Sequence, residues 1–433
     1  MSYFKSKYSE KIKLIQSFTD SKWDTLTPLD LASDICEHIH NLVNSKTAKY
    51  LDPSCGRGTF LVKLYELQFT KTYSHITLID DRNKSVIDSL YGCEISPYYH
   101  KIAIESIKQI QKYFGVTKIL KPHIYNCDYI NNKILKNMQF DVKLGNPPYQ
   151  DINKNGGIQP KSHNLWGKFI IESLTSIKCK LKNNGYLAFV TPSSWGSPSN
   201  DIFKLFKQNN LILVDTTISH HFKENSTFSY WIVQKSSYKG TTLINGNEFN
   251  LQNINYLQSD INKISIKIHK SFNESTHQKF IWKTDTTINH SSKKNDIWNI
   301  APSDEHIYQV YHTNAQTYYS KIKSKSHEFK KIYLTLSGYY NPILDNGNIS
   351  TSEVVPYIIV NSKEEGENLL SILNSKLYKY IVNSAKWSGF INKDILRILP
   401  NIGLDKKWND IDVYNEFGIT NKEEINYIEN YVG

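Results

Sequence analysis

Between Pro28 and Leu42, apolar side chains recur at Leu31, Ile35, Ile39 and Leu42, one face of a helix. Short apolar runs then alternate with segments of helical period. Lys49–Asp52 reads as a strand, followed by a glycine-containing turn and a helix from Thr59. A second strand ends at Glu94, and a helix starts at Pro97. His123–Asp128 and Phe140–Gly145 are further strands. Leu165–Leu181 reads as a helix and Gly185 as a turn. Tyr186–Val190, Leu211–Ile218 and Tyr230–Gln234 close the series. Strands alternating with helices imply an α/β fold with a mostly parallel, doubly wound sheet. After Ser236 the clean alternation is lost, and Tyr- and Asn-rich stretches follow. Two domains are expected, residues 1–238 and 239–433, and no internal repeat is visible.

Composition narrows the class. Of 433 residues, 39% are hydrophobic and 21% charged, enough apolar material for a globular core. The net charge of +11 is weakly indicative of a polyanionic partner. Compositional drift toward Lys, Asn and Ile explains it equally well. The excess is uneven: +10 over residues 1–238 and +1 over 239–433. Within the second part, 263–333 carries +6 and 334–433 carries −4. No apolar run approaches the roughly 18 residues of a membrane helix. The start, MSYFKSKYSEKIK, has no signal-peptide core. The five cysteines form no C-x-x-C pair, so neither a disulfide framework nor a zinc site is expected. These features point to a soluble protein of a reducing, cytoplasmic compartment, with no metal and no membrane contact.

Two segments carry chemistry. Asp52-Pro53-Ser54-Cys55-Gly56-Arg57-Gly58-Thr59 follows a strand and opens a helix, where ligands bind in open α/β sheets. Gly56 and Gly58 admit positive φ and close approach to the backbone. The pattern is neither the dinucleotide fingerprint nor a P-loop. A carboxylate at the strand end suits a cation better than a pyrophosphate, and S-adenosylmethionine (AdoMet) carries an ammonium and a sulfonium. Asp52, Pro53, Cys55, Gly56 and Gly58 are therefore assigned to a cofactor turn. Glu94 ends the next strand and is a candidate for the ribose hydroxyls. It lies 42 residues from Asp52, about twice the usual ~20. Asp80 and Asp81 are the competing candidates, and an insertion near 69–89 would explain the gap. Asp128, ending the third strand, is a candidate partner for the cofactor's adenine. Each acid taken singly also fits a plain turn or helix cap.

Asn146-Pro147-Pro148-Tyr149 follows the strand Phe140–Gly145. Two prolines stiffen the backbone and remove two N–H donors. The Pro147 carbonyl and the Asn146 side-chain carbonyl are then both free to accept from an exocyclic amino group. Such an amine is a poor nucleophile because its lone pair is delocalised into the ring. Two acceptors on its hydrogens favour a localised lone pair, and Tyr149 offers a flat face for the base. Attack on a sulfonium methyl then needs orientation and placed dipoles, with no covalent intermediate.

With these motifs in this order, the chain resembles the N6-adenine DNA methyltransferases of the gamma motif order, the single-chain methylases of restriction–modification systems. Their order is a Thr-Pro segment, the AdoMet turn, the catalytic tetrapeptide and a C-terminal recognition domain. Here these are Thr27-Pro28, Asp52–Phe60, Asn146–Tyr149 and the residues from 239. The resemblance implies a seven-stranded methyltransferase sheet followed by an α+β target-recognition domain. It implies AdoMet as co-substrate and double-stranded DNA as partner, lying between the two domains and extruding the target adenine. It further implies Thr27 beside the methionine moiety, and Phe222 on the extruded adenine with Phe228 as alternative. Leu187–Pro192 resembles the strand after the catalytic helix. Ser375–Leu377 and Ser388–Asp394 resemble the group's recognition domains. A monomer is expected, and a separate cognate restriction endonuclease stays open.

Cytosine-5 transfer needs a thiolate, usually after proline, and no cysteine here follows one. RNA adenine-N6 and DNA cytosine-N4 transfer stay open. A DNA-binding subunit with an inactive cofactor fold is disfavoured by the intact Asp52, Gly56, Asn146 and Tyr149. A fused nuclease is not expected in these residues.

Overall fold

The computed structural model describes residues 27–43, 45–131, 134–150, 164–177, 179–198, 200–222, 227–289, 297–313, 316–387 and 389–433. The N-terminal start, Ser388 and residues 290–296, 314 and 315 of the basic stretch lie outside them. Two compact units are present. One comprises the chain to Ser193 plus Lys204–Gln252, and the other Ser194–Phe203 plus Asn253–Gly433. The first unit thus runs past the expected boundary at 238. Its last element is a hairpin of β8 (Thr242–Ile244) and β9 (Asn247–Phe249) that joins the sheet beside β6 (Asn210–Asp215).

The sheet of the first unit has nine strands rather than seven. In spatial order they are β3 (His123–Asn126), β2 (Leu90–Glu94), β1 (Tyr50–Asp52), β4 (Gln139–Gly145), β5 (Lys180–Pro192), β7 (Phe228–Gln234), β6, β8 and β9. The strands from β3 to β5 run parallel, as does the β6–β8 pair; β7 is antiparallel to both β5 and β6. The sheet reverses its winding between β1 and β4, so two strand ends open there side by side. Helices α1 (Leu29–Leu42), α2 (Thr59–Leu67), α3 (Ile79–Ser89), α4 (Pro97–Tyr113) and α5 (Leu165–Thr175) belong to this unit. Leu31, Ile35, Leu61, Leu64, Ile107, Val142 and Leu144 form one buried cluster with residues of several of these elements.

Two expectations fail for one reason. The helix predicted to Leu181 stops at Thr175, and Gly185 is not a turn between elements. Lys180 and Leu181 pair with Gln139 and Phe140, so this stretch is already β5. Leu181 and Phe140 are both fully buried, and that burial outweighs helical propensity. The register then shifts before Tyr186 pairs with Val142, and Asn184 takes φ +63°. Gly185 therefore sits in a bulge-like irregularity inside a strand.

The second unit mixes small sheets with helices. One sheet orders β10 (Trp298–Asn299), β12 (Gln316–Ser320), β11 (Tyr308–Thr313) and β15 (Ser350–Thr351); the other orders β14 (Ile343–Asp345), β13 (Lys331–Tyr333) and β16 (Tyr357–Ile359). Phe272, Leu369, Ile372, Leu377, Tyr378, Ile381 and Phe417 build its main core. Among the described residues no helix is long and apolar enough to cross a membrane.

Trp231 in β7 is fully buried, lies 4.5 Å from the Phe206 ring and donates to Thr191 Oγ1 at 2.9 Å. Trp231→Ala should cost about 3–5 kcal/mol. Urea unfolding of the full chain reads this directly; a loss below ~1 kcal/mol would contradict the packing described.

Candidate active site

Asp52 ends β1 with its carboxyl buried, accepting from Ser54 N at 3.0 Å through Oδ1. On the next strand β4 ends in Gly145, where an added Cβ would stand 2.7 Å from Asp52 Oδ1. Glycine at 145 therefore leaves the space the carboxyl fills. Burial pushes the Asp52 carboxyl up to about 8; the negative Glu94 adds to the rise and the Ser54 N–H opposes it. A cation placed there would reverse this, because an opposite charge favours the ionised form.

The turn after Asp52 is held from both sides. Gly56 and Gly58 take φ +51° and +86°. A Cβ at 58 would come 3.3 Å from the Ala103 backbone of α4, so glycine there permits helix and turn to approach. Cys55 N donates to Cys93 O at 2.8 Å and Gly58 N to Cys55 O at 2.7 Å. Glu94 ties the turn to the second strand: Oε2 accepts from Gly56 N and Oε1 from Ser96 N, both at 2.8 Å. Pro53 and Cys55 are buried, and burial pushes the Cys55 thiol well up.

The third strand end closes the same rim. Asn126 Nδ2 donates to Glu94 O at 2.7 Å, and Cys127 N donates to the same oxygen at 3.1 Å. Asp128 turns its oxygens to its own loop, accepting from Ile130 N at 3.0 Å and Asn131 Nδ2 at 2.7 Å. Asp80 and Asp81 sit in the first turn of α3 rather than at a strand end. Asp80 accepts from Thr117 N at 3.0 Å and Lys118 N at 3.1 Å. Of the ribose candidates, Glu94 alone meets the Gly56 turn.

The tetrapeptide leaves β4 beside Asp52. Ser54 Oγ donates to Asn146 O at 3.5 Å, which brings the two motifs together. The Asn146 amide is engaged at both ends: Nδ2 donates to Thr27 Oγ1 at 3.1 Å, and Oδ1 accepts from the Tyr149 hydroxyl at 2.6 Å. The Tyr149 ring lies 5.2 Å from that of Phe228, and Phe228 lies 4.5 Å from Phe222. Phe222 is thus buried one ring behind, and Phe228 is the ring that meets Tyr149. Pro147 is buried and Pro148 exposed. Behind the site, β4 is anchored by Lys143, whose buried ammonium donates to Tyr129 Oη at 3.0 Å, Ser173 O at 3.3 Å and Cys179 O at 2.7 Å. Burial lowers this amine to about 8. Among the described residues no group of three or more His, Cys, Asp or Glu is placed to hold a metal ion.

Sequence reasoning missed Ser54, Ser96, Asn126 and Gly145. The first three are small polar residues whose roles depend on a neighbouring strand. Gly145 could have been noticed, since a glycine inside a strand often marks close approach by another group.

Residues 82–228 match the family model of the Eco57I restriction-modification methylase. That stretch contains Glu94, Asp128, Asn146–Tyr149 and Phe222, and begins after Asp52. An uncharacterized adenine-specific methylase of Mycoplasma pneumoniae is 24% identical, with 38% of this chain and 43% of the relative covered. The similarity is to restriction–modification methylases. Among solved structures, a nuclease-deletion mutant of the Type ISP restriction-modification enzyme LlaGI, in complex with a DNA substrate mimic, aligns with TM-score 0.59 at 12% identity. It covers 90% of this chain and 56% of that one. The ATP-dependent Type ISP enzyme LlaBIII bound to DNA gives 0.51 at 14% identity, covering 98% and 41%. These two show a shared fold. The chain spans less than half of the curated relative and about half of these larger proteins.

An unfolded Asp ionises near pH ~3.9. Between about pH 4 and pH 8 the unfolded chain has therefore lost a proton that folded Asp52 keeps. This contribution to stability is complete below ~pH 4 and is lost as pH rises to about 8. Asp52→Asn should consequently lose less melting temperature between pH 5 and 8 than the wild type, both ligand-free. Identical slopes would contradict the buried carboxyl.

Proposed function

We propose that the chain is an AdoMet-dependent methyltransferase acting on the N6 amino group of adenine in double-stranded DNA, in a restriction–modification setting. The carrying observation is that Ser54 of the glycine turn and Asn146 of the tetrapeptide touch across neighbouring strand ends. A cofactor turn and an amine-activating tetrapeptide thereby serve one reaction centre. The match of residues 82–228 and the adenine-specific relative support the substrate class.

The residues present fit AdoMet. Asp52 is a buried carboxyl that accepts from the Ser54 N–H and has the negative Glu94 as its charged neighbour, an environment that suits a cationic ligand. A Cβ at Gly56 would meet nothing within 4 Å, so the turn backbone is open to an approaching group. In this reading Asp52, Pro53, Cys55, Gly56 and Gly58 hold the amino-acid end, Glu94 the ribose and Asp128 the adenine. AdoMet, when bound, supplies an electrophilic sulfonium methyl.

The chain's own task is to make the amine attack. Asn146 Oδ1 and Pro147 O accept the two amino hydrogens and localise the nitrogen lone pair. Tyr149 covers the face of the base, with Phe228 and Phe222 stacked behind it. The methylated nitrogen is briefly cationic and strongly acidic, so it loses a proton to water without a matched base. A stacked base cannot reach these acceptors, so the adenine is extruded first. The basic stretch 263–333 supplies phosphate contacts, and binding should weaken with salt.

Asn146→Ala should abolish transfer of labelled methyl from AdoMet to unmethylated genomic DNA while leaving AdoMet affinity within about twofold. Full transfer by this variant would refute amine activation at Asn146. Incorporation into RNA but not DNA would favour an RNA substrate instead. Tyr149→Ala should lose more rate than Tyr149→Phe, because base–aromatic stacking contributes about 1–3 kcal/mol; equal losses would assign the role to the hydroxyl. AdoMet binding at pH 7 should release up to one proton from Asp52. Calorimetry in two buffers of different ionisation enthalpy measures it, and release that persists in Asp52→Asn would place the proton elsewhere.

A further inference from the structure

Thr27 stands two residues before α1, one position ahead of the cap. Pro28 occupies the cap position and no side chain caps the helix; Asp30 accepts from Leu31 N within the first turn. The Thr27 hydroxyl instead reaches across 119 residues of chain to Asn146 Nδ2 at 3.1 Å. The following proline biases the Thr27 backbone toward the extended region.

The amide it meets has a directional problem. An asparagine side chain has nearly the same shape when its oxygen and nitrogen are exchanged, yet only the oxygen can accept from a substrate amine. The exchanged rotamer would present two N–H donors to the adenine amino group and block the reaction. The hydrogen bonds at the two ends favour one orientation. A phenol is a better donor and a poorer acceptor than an aliphatic alcohol, so Tyr149 Oη donates to Oδ1 at 2.6 Å while Thr27 Oγ1 accepts from Nδ2. A chain of bonds running one way is also mutually reinforcing.

We propose that Thr27 is a positioning residue that fixes the orientation of the Asn146 amide, and that the Tyr149 hydroxyl occupies the acceptor until a substrate N–H replaces it. When Tyr149 gives up that bond, Thr27 still accepts from Nδ2, so Oδ1 stays turned toward the substrate. This rests on the methyl-transfer reading above and gives Thr27 a task apart from any contact with the cofactor.

The test compares Thr27→Val, which keeps the shape and removes the hydroxyl, with Thr27→Ser, which keeps the hydroxyl. Labelled AdoMet and unmethylated genomic DNA are the substrates, AdoMet affinity is measured separately by calorimetry, and thermal unfolding confirms that each variant is folded. The expected result is a fall in kcat of about tenfold to a hundredfold for Thr27→Val at saturating AdoMet, the scale of a misplaced reacting group. AdoMet Kd should stay within about twofold, and Thr27→Ser should recover most of the rate. Unchanged kcat in Thr27→Val, or a loss of AdoMet affinity as large as the loss of rate, would overturn the inference. So would a serine variant no better than valine. Those outcomes leave methyl transfer itself standing. A wild-type protein that binds AdoMet but transfers no methyl to DNA would remove the functional reading, and the role of Thr27 with it.

Discussion

The site depends on one close approach: the buried Asp52 carboxyl against Gly145, at the ends of two neighbouring parallel strands. Any side chain at 145 would displace that carboxyl. The same approach sets the distance between the glycine turn and Asn146, because Ser54 follows the acid by two residues and Asn146 follows the glycine directly. Sheet order makes it available. β1 and β4 lie side by side where the winding of the sheet reverses, so a gap opens between their carboxyl ends. Two motifs separated by more than ninety residues in the chain become adjacent for topological reasons alone.

That arrangement is strained electrostatically and supported mechanically. Asp52 and Glu94 are two acids at adjacent strand ends, and both burial and the negative Glu94 disfavour ionisation of Asp52. Support comes from behind, where the Lys143 ammonium meets three oxygens from separate parts of the chain and holds β4 to α5 and the start of β5.

Much of this was legible in the residues. The strands ending at Asp52, Glu94 and Gly145 are where periodicity puts them. The errors have physical causes. Leu181 reads as helical from its neighbours and becomes strand because Phe140 buries it. Gly185 reads as a chain reversal because a bulge uses the same residue types. The hairpin Thr242–Phe249 carried its own signal, the turn pair Asn245-Gly246, and both residues take positive φ. It carries the first compact unit to Gln252. What no linear reading supplies is partnership across strands: Thr27 with Asn146, Asn126 with Glu94, Phe228 rather than Phe222 against Tyr149. Those contacts depend on sheet order, and sheet order is a property of the folded chain.

The central claim is amine methylation at the Asn146 acceptor, and modified-base sequencing tests it most directly. DNA from cells expressing the wild-type chain would be compared with DNA from cells expressing Asn146→Ala. The account predicts N6-methyladenine at one short motif in the first sample and none in the second. Unmodified adenine in both, from a folded protein that binds AdoMet, would contradict it.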